Sequence, residues 1–315
     1  MNRGSGPRDL ATNDGPGAAP GRRILRTVEI AALGVMFAGA VGGGICLGLY
    51  WAGAARLKAV AEIVVGNEPD PARRFERLTH WVFHNQGFSE NGRFFVWPRL
   101  RATAVQVLEG GGDCADKSRL LSAMLRQVGV PATMAMCFDP RTGAPVHTVV
   151  EAEIGSGQFA VADPVYDLVF PKPDGGHFGL LDLRRDAGIL QARLDELIHV
   201  RPRNAPVHGY RRDRSVYDLA ATFNWQKNAA TRIAFDVLFR LIGESVYRLP
   251  RPAVLEEPQL SIAAGAFGAA VMGMAAAVGC RRRVRRSARV KRARTEHRCR
   301  GEAAVGDWMN VPCGR

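Results

Sequence analysis

The chain has 315 residues, 47% of them hydrophobic, and a formal net charge of +13. That is apolar material enough for one ordinary domain with additions, or for two small ones. A charge so positive suggests a nucleic-acid partner, but its distribution argues against one. Arg281–Arg300 holds ten Arg and one Lys against Glu296, and Met1–Val28 nets +3, so Ile30–Cys280 carries only +2. Charge gathered at the two ends is topological information before it is a partner signal.

Residues 1–23, rich in Gly, Pro, Ala and Asp, read as a disordered cytoplasmic N-terminus. Ile30–Ala55 then runs 26 positions without a charge, and Pro258–Cys280 runs 23. A membrane-spanning helix needs about 20 apolar residues. The reading is therefore a first span over 24–55 and a second over 258–280. Arg22, Arg23 and Arg26 precede the first, and Arg281–Arg286 follow the second, as a basic cytoplasmic tail over 281–315. Cationic flanks stay on the cytoplasmic side, so both termini are expected inside and 56–257 outside, in a two-span protein of the cell membrane. Tyr50 and Trp51 then fall at the outer interface. A cleaved secretory signal is the competing reading of the first run, although it is long for one. Small-residue pairs at Gly39/Gly43, Gly44/Gly48, Ala264/Gly268 and Ala269/Gly273 would let spans pack closely, within one chain or between copies.

Between the spans, Asp70-Pro71 opens a predicted helix through Asn85, with Phe75, Leu78, Trp81 and Val82 at helical spacing. Arg99–Leu108 reads as a second helix. Gly110-Gly111-Gly112 breaks the chain, and Asp113 starts a helix with apolar positions Leu120, Leu121, Met124, Leu125 and Val128, closed by Gly129 and Pro131. Ala132–Phe138, Val146–Ile154 and Gln158–Ala162 read as strands of an antiparallel meander, turned at Asp139–Gly143 and Gly155–Gly157. Helices are expected around Ala187–Ile198 and over Ala229–Val246. Fold class is α+β.

Three residues stand where chemistry would want them. Cys114 opens a helix behind three glycines, and a helix N-terminus favours thiolate over thiol. His147 begins the second strand and Asp163 ends the third. If those strands pair, the two residues meet, and a carboxylate can hold the imidazole while its other nitrogen faces the thiol. Taken singly, each has an ordinary reading as a core cysteine, a satisfied core histidine or a turn aspartate. Cys137 supplies a rival account, because a Cys114–Cys137 bridge outside the cytoplasm would abolish the nucleophile. His80 and His84 share a helix face at a spacing that can bind zinc, yet no third ligand is evident, and a packed or solvated face is the simpler account.

The run Gly111–Leu121, continuing through Leu125-Arg126 to Gly129–Ala132, resembles the cysteine motif of the transglutaminase-like superfamily. His147–Glu151 resembles its histidine strand and Val161–Pro164 its aspartate motif. The resemblance implies a papain-like α+β domain over 56–257 (core about 70–200), with Cys114 as nucleophile, His147 as general base and acid, and Asp163 orienting it. Oxyanion donors in such enzymes often come from an upstream Gln or Trp. Gln106 is the candidate here, and the backbone N–H of Cys114 is a more economical one. The Asn224-Trp225 and Leu249–Pro252 stretches, followed by a span, are similar to membrane-tethered bacterial members associated with cell-surface polysaccharide loci. The resemblance thus implies a cofactor-free enzyme acting on amide or peptide bonds outside the cytoplasm, by acyl transfer or hydrolysis. Its partners would be membrane lipids, an extracytoplasmic protein or peptide substrate, polysaccharide machinery and a second copy through the spans, with no nucleic acid. The alternative from a different class is a catalytically inactive scaffold in envelope assembly.

Overall fold

A computed structural model describes residues 20–89, 92–210 and 217–306. The N-terminal segment expected to be disordered lies outside them up to residue 19, as do residues 307–315 of the basic tail. The chain divides into two compact units, one made of Met1–Gly43 with Gly265–Arg315, the other of Gly44–Ala264.

The first unit is a helix pair. Helix α1 (Pro20–Val65) supplies its first part and helix α9 (Pro258–Gly306) most of its length. Both contain stretches long and apolar enough to cross a membrane. They run antiparallel, since Gly39 meets Ala266 and Ala270, Gly43 meets Phe267, and Gly273 meets Ala32 and Met36. A Cβ at Gly273 would lie 2.6 Å from the Ala32 carbonyl oxygen, so the close approach needs glycine there. Gly44, Gly48 and Gly268, which share the same spacing pattern, face open space. Arg281 pairs with Glu29 toward the other end of the contact. Helix α9 does not stop at Cys280 but carries the basic stretch on to Gly306.

The second unit is a four-stranded antiparallel sheet with helices on both faces. In chain order it contains α2 (Pro71–His84), α3 (Ala104–Gly110), α4 (Cys114–Gln127), β1 (Ala132–Phe138), β2 (Pro145–Gly155), β3 (Gln158–Asp163), β4 (Leu168–Val169), α5 (Leu180–Arg185), α6 (Gly188–Val200), α7 (Ala229–Ile242) and α8 (Ala253–Glu256). Sheet order is β1-β2-β3-β4, the meander expected from the turns. Alternation along β2 splits the core in two. Val150, Ala152 and Ile154 pack with Phe75, Leu78, Leu121 and Met124 on the α2/α4 side. Val149 packs with Leu168, Phe170, Leu180 and Leu194 on the α5/α6 side. The result is the α+β arrangement typical of transglutaminase-like and papain-like proteins; the chain also carries two membrane-length helices.

Several elements differ from the sequence reading, each for a physical reason. Helix α1 continues past Ala55 because Leu57, Ala61 and Val65 fall one turn apart and bury in the α2/α4 core. The predicted helix at Arg99–Leu108 is broken. Arg101 takes φ +63°, and Thr103 starts α3 with a capping box to Gln106. The last helix ends at Ile242, where Gly243 takes φ +60° and a 3₁₀ stretch follows to Arg248. Strand β4 and helix α5 were not expected; both are too short to show a hydrophobic period.

Candidate active site

Helix α4 starts where the chain says it should. The Asp113 carboxylate accepts from the Asp116 N–H at 3.0 Å, while Arg101 holds its other oxygen at 2.9 Å. Gly111 is required just before it, at φ +72° and with its missing Cβ directed at the Gln86 carbonyl. A helix leaves its first N–H groups without intrahelical acceptors, and the N–H of Cys114 is among them.

Polar side chains then fix α4 against its neighbours. Ser118, one turn after Cys114, donates to the Thr148 carbonyl at 2.9 Å, next to His147 on β2. Lys117 is buried and donates to the carbonyls of Val82, Phe83 and Asn85 at 2.9, 2.8 and 3.3 Å, closing the end of α2. Burial pushes its pKa down to about 8. Asp116 pairs with buried Arg119 at 2.7 Å, and burial raises its pKa.

The sheet supplies the rest. Val150 pairs with Ala162 and Glu151 with Val161. That register sets His147 and Asp163 diagonally on one face, within side-chain reach. His147 Nε2 lies 2.6 Å from Asp163 Oδ2. The same oxygen accepts from the Tyr217 hydroxyl at 2.6 Å. Asp163 is fully buried and His147 is 7% exposed. Cys114 at the start of α4 is close enough to act electrostatically on the imidazole. Burial acts to lower the His147 pKa, but the Asp163 carboxylate, its hydrogen bond and the Cys114 contact outweigh that and raise it to about 10. The structure therefore joins His147 to Asp163 and leaves Cys114 nearby, with the thiol partly exposed and the carboxylate sealed.

Cys137 lies opposite His147 on β1, and both it and Cys114 are free thiols. Burial, with Asp163 and Cys114 nearby, pushes the Cys137 thiol well up. Gln106 is engaged elsewhere: its amide oxygen accepts from the Thr103 N–H at 2.9 Å, and its amide N–H donates to the Phe94 carbonyl at 3.3 Å. His80 meets Asp167 at 3.0 Å and stacks edge-on against His84. Among the described residues no group of three or more His, Cys, Asp or Glu could hold a metal ion.

Sequence reasoning missed Tyr217, which stands 54 positions from Asp163 in a 3₁₀ turn with no motif around it. It also missed Tyr166, whose ring centroid lies 5.9 Å from that of His147. No local signal marks either residue. An imidazole between a thiol and a buried carboxylate can move a proton to and from sulfur and keep one tautomer throughout.

The fold is of the α+β class typical of transglutaminase-like and papain-like proteins. The profile of the transglutaminase-like superfamily matches residues 58–164, about a third of the chain, ending just past Asp163. No curated protein matches the chain. A proposed cysteine protease from Cytophaga hutchinsonii is 22% identical over 39% of this chain, with a TM-score of 0.31. This chain spans 40% of that structure, and a likeness so partial carries no argument about activity.

Proposed function

We propose that this protein is a membrane-anchored, transglutaminase-like cysteine enzyme that acts on amide or peptide bonds outside the cytoplasm. The observation that carries the reading is His147, held by buried Asp163 at 2.6 Å, with Cys114 near enough to help raise its pKa. Cys114 Sγ attacks the carbonyl carbon of the substrate amide after passing its proton to His147. The N–H of Cys114 stabilises the oxyanion, while the Gln106 side chain is held at its own helix cap by Thr103 and Phe94. The C–N bond breaks, His147 protonates the departing amine, and a thioester remains. Water or a second amine, deprotonated by the same imidazole, then releases the acyl group by hydrolysis or transfer. Asp163 keeps Nε2 occupied so that Nδ1 serves the thiol.

In this reading α1 and α9 anchor the chain over 24–55 and 258–280. The arginines that flank them keep both termini cytoplasmic and 56–257 outside. Substrates are then extracytoplasmic proteins or peptides, and cell-surface polysaccharide machinery is the setting the sequence resemblance favours.

The test is thiol labelling of the full chain in membranes at neutral pH. Iodoacetamide should modify Cys114 faster than Cys137 by about a hundredfold, since thiolate is the reactive form and burial protects the second thiol. His147→Ala should abolish most of that difference. Equal, slow labelling of the two would make the domain an inactive scaffold.

A further inference from the structure

Helix α7 has no buried residue, yet eleven of its fourteen residues are uncharged: AATRIAFDVLFRLI. Its two sides can be told apart. Phe235 and Phe239 (the latter 40% exposed) stack on Tyr247, with ring centroids 5.6 and 6.2 Å from its own, and Phe235 lies 5.8 Å from Trp225. On the other side Ile233, Val237 and Leu241, spaced one turn apart, are 65, 51 and 73% exposed. Arg232, Asp236 and Arg240 form a narrow polar edge between the two apolar faces. A helix apolar on two sides is ordinarily covered on both.

We propose that the Ile233–Val237–Leu241 face of α7 lies in the interfacial layer of the membrane, against lipid. This rests on the reading of α9 as a span. Three observations favour lipid over a protein partner. The exposed ridge is aliphatic and offers no hydrogen-bonding group to read a specific surface. Its flanking charges, Lys227, Arg232 and Arg240 against Asp236, are net cationic, which suits anionic headgroups. And α9 begins at Pro258, sixteen positions after Ile242, so the chain leaves α7 for the apolar helix within about 55 Å at full extension. Such a helix is a second, shallow attachment.

The experiment uses the full chain in phosphatidylcholine–phosphatidylglycerol vesicles, with photoreactive benzoylphenylalanine replacing Leu241, Met272 or Glu196 in turn. Met272 lies exposed on α9 and Glu196 exposed on α6. All three positions tolerate a large side chain without touching the core. Illumination should give lipid adducts at 241 and 272, each about tenfold or more above 196, as expected for side chains within acyl reach. Adducts at 272 with none at 241, or with protein adducts at 241, overturn the inference and leave the span intact. No adduct at 272 removes the span reading, and the inference falls with it.

Discussion

At residue scale, His147 is the most informative group because a buried carboxylate holds its Nε2 at 2.6 Å. Its folded pKa, about 10, lies above the unfolded value of 6.5. The stabilisation it contributes is therefore fully present below about pH 6.5 and is lost as pH rises through 10. In the full chain with isotope-labelled histidine, one imidazole signal should titrate near 10 and vanish in His147→Gln. A signal near 6.5 instead would mean that the carboxylate does not hold the ring. Tyr217 is a positioning residue, acting through Asp163. Tyr217→Phe should cost about 2 kcal/mol of stability, the worth of a hydrogen bond to a charged group. It should also slow Cys114 labelling less than His147→Ala does. Lys117 was legible only as part of the cysteine motif. Its structural task, closing the end of α2, predicts that Lys117→Met lowers denaturation stability by about 1–3 kcal/mol, the cost of unsatisfied buried carbonyls.

Elements succeed or fail by how their polar ends are satisfied. Helix α4 was readable because Asp113, Gly129 and Pro131 mark both ends locally. The α3 region was not, since the left-handed turn at Arg101 depends on contacts around it. Helix α8 shows the same point more strongly. Its Glu256 side chain is buried and accepts from Arg126 at 2.5 Å and from the Met134 N–H at 3.1 Å, while Arg119 donates to the Glu256 carbonyl at 2.8 Å. The helix that carries Cys114 is thereby tied to the segment that precedes α9. Glu256→Ala leaves Arg126 only the longer pair to Glu257 at 3.4 Å and strips the Met134 N–H of its acceptor, and should cost about 1–3 kcal/mol by chemical denaturation. In the helix pair, cysteines replacing Glu29 and Arg281 should cross-link. Gly273→Leu should cut that yield several-fold, whereas Gly268→Leu, facing open space, should leave it unchanged.

For the whole molecule, the asymmetry of charge is the testable feature. Replacing Arg281, Arg282, Arg283, Arg285 and Arg286 by Ala should produce mixed orientation. A membrane-impermeant thiol reagent on intact cells would read this from a cysteine at position 196, which is reached in the parent and only in part in the variant. Unchanged full labelling would mean that something other than these arginines sets the topology. The described structure contains both membrane-length helices, but orientation is a property of chain and bilayer together.

The sequence by itself determined the sheet order, the start of α4 and the meeting of His147 with Asp163. Each depends on local signals: turns of fixed length, a cap, and the two-residue period that puts strand residues on one face. Tertiary structure alone decided the rest. It buried Cys137 and left Cys114 open, drew Tyr217 onto Asp163, turned Gln106 to its own helix cap, and left α7 apolar on an uncovered side. These outcomes depend on residues far apart in the chain, and no local pattern encodes which distant partner arrives.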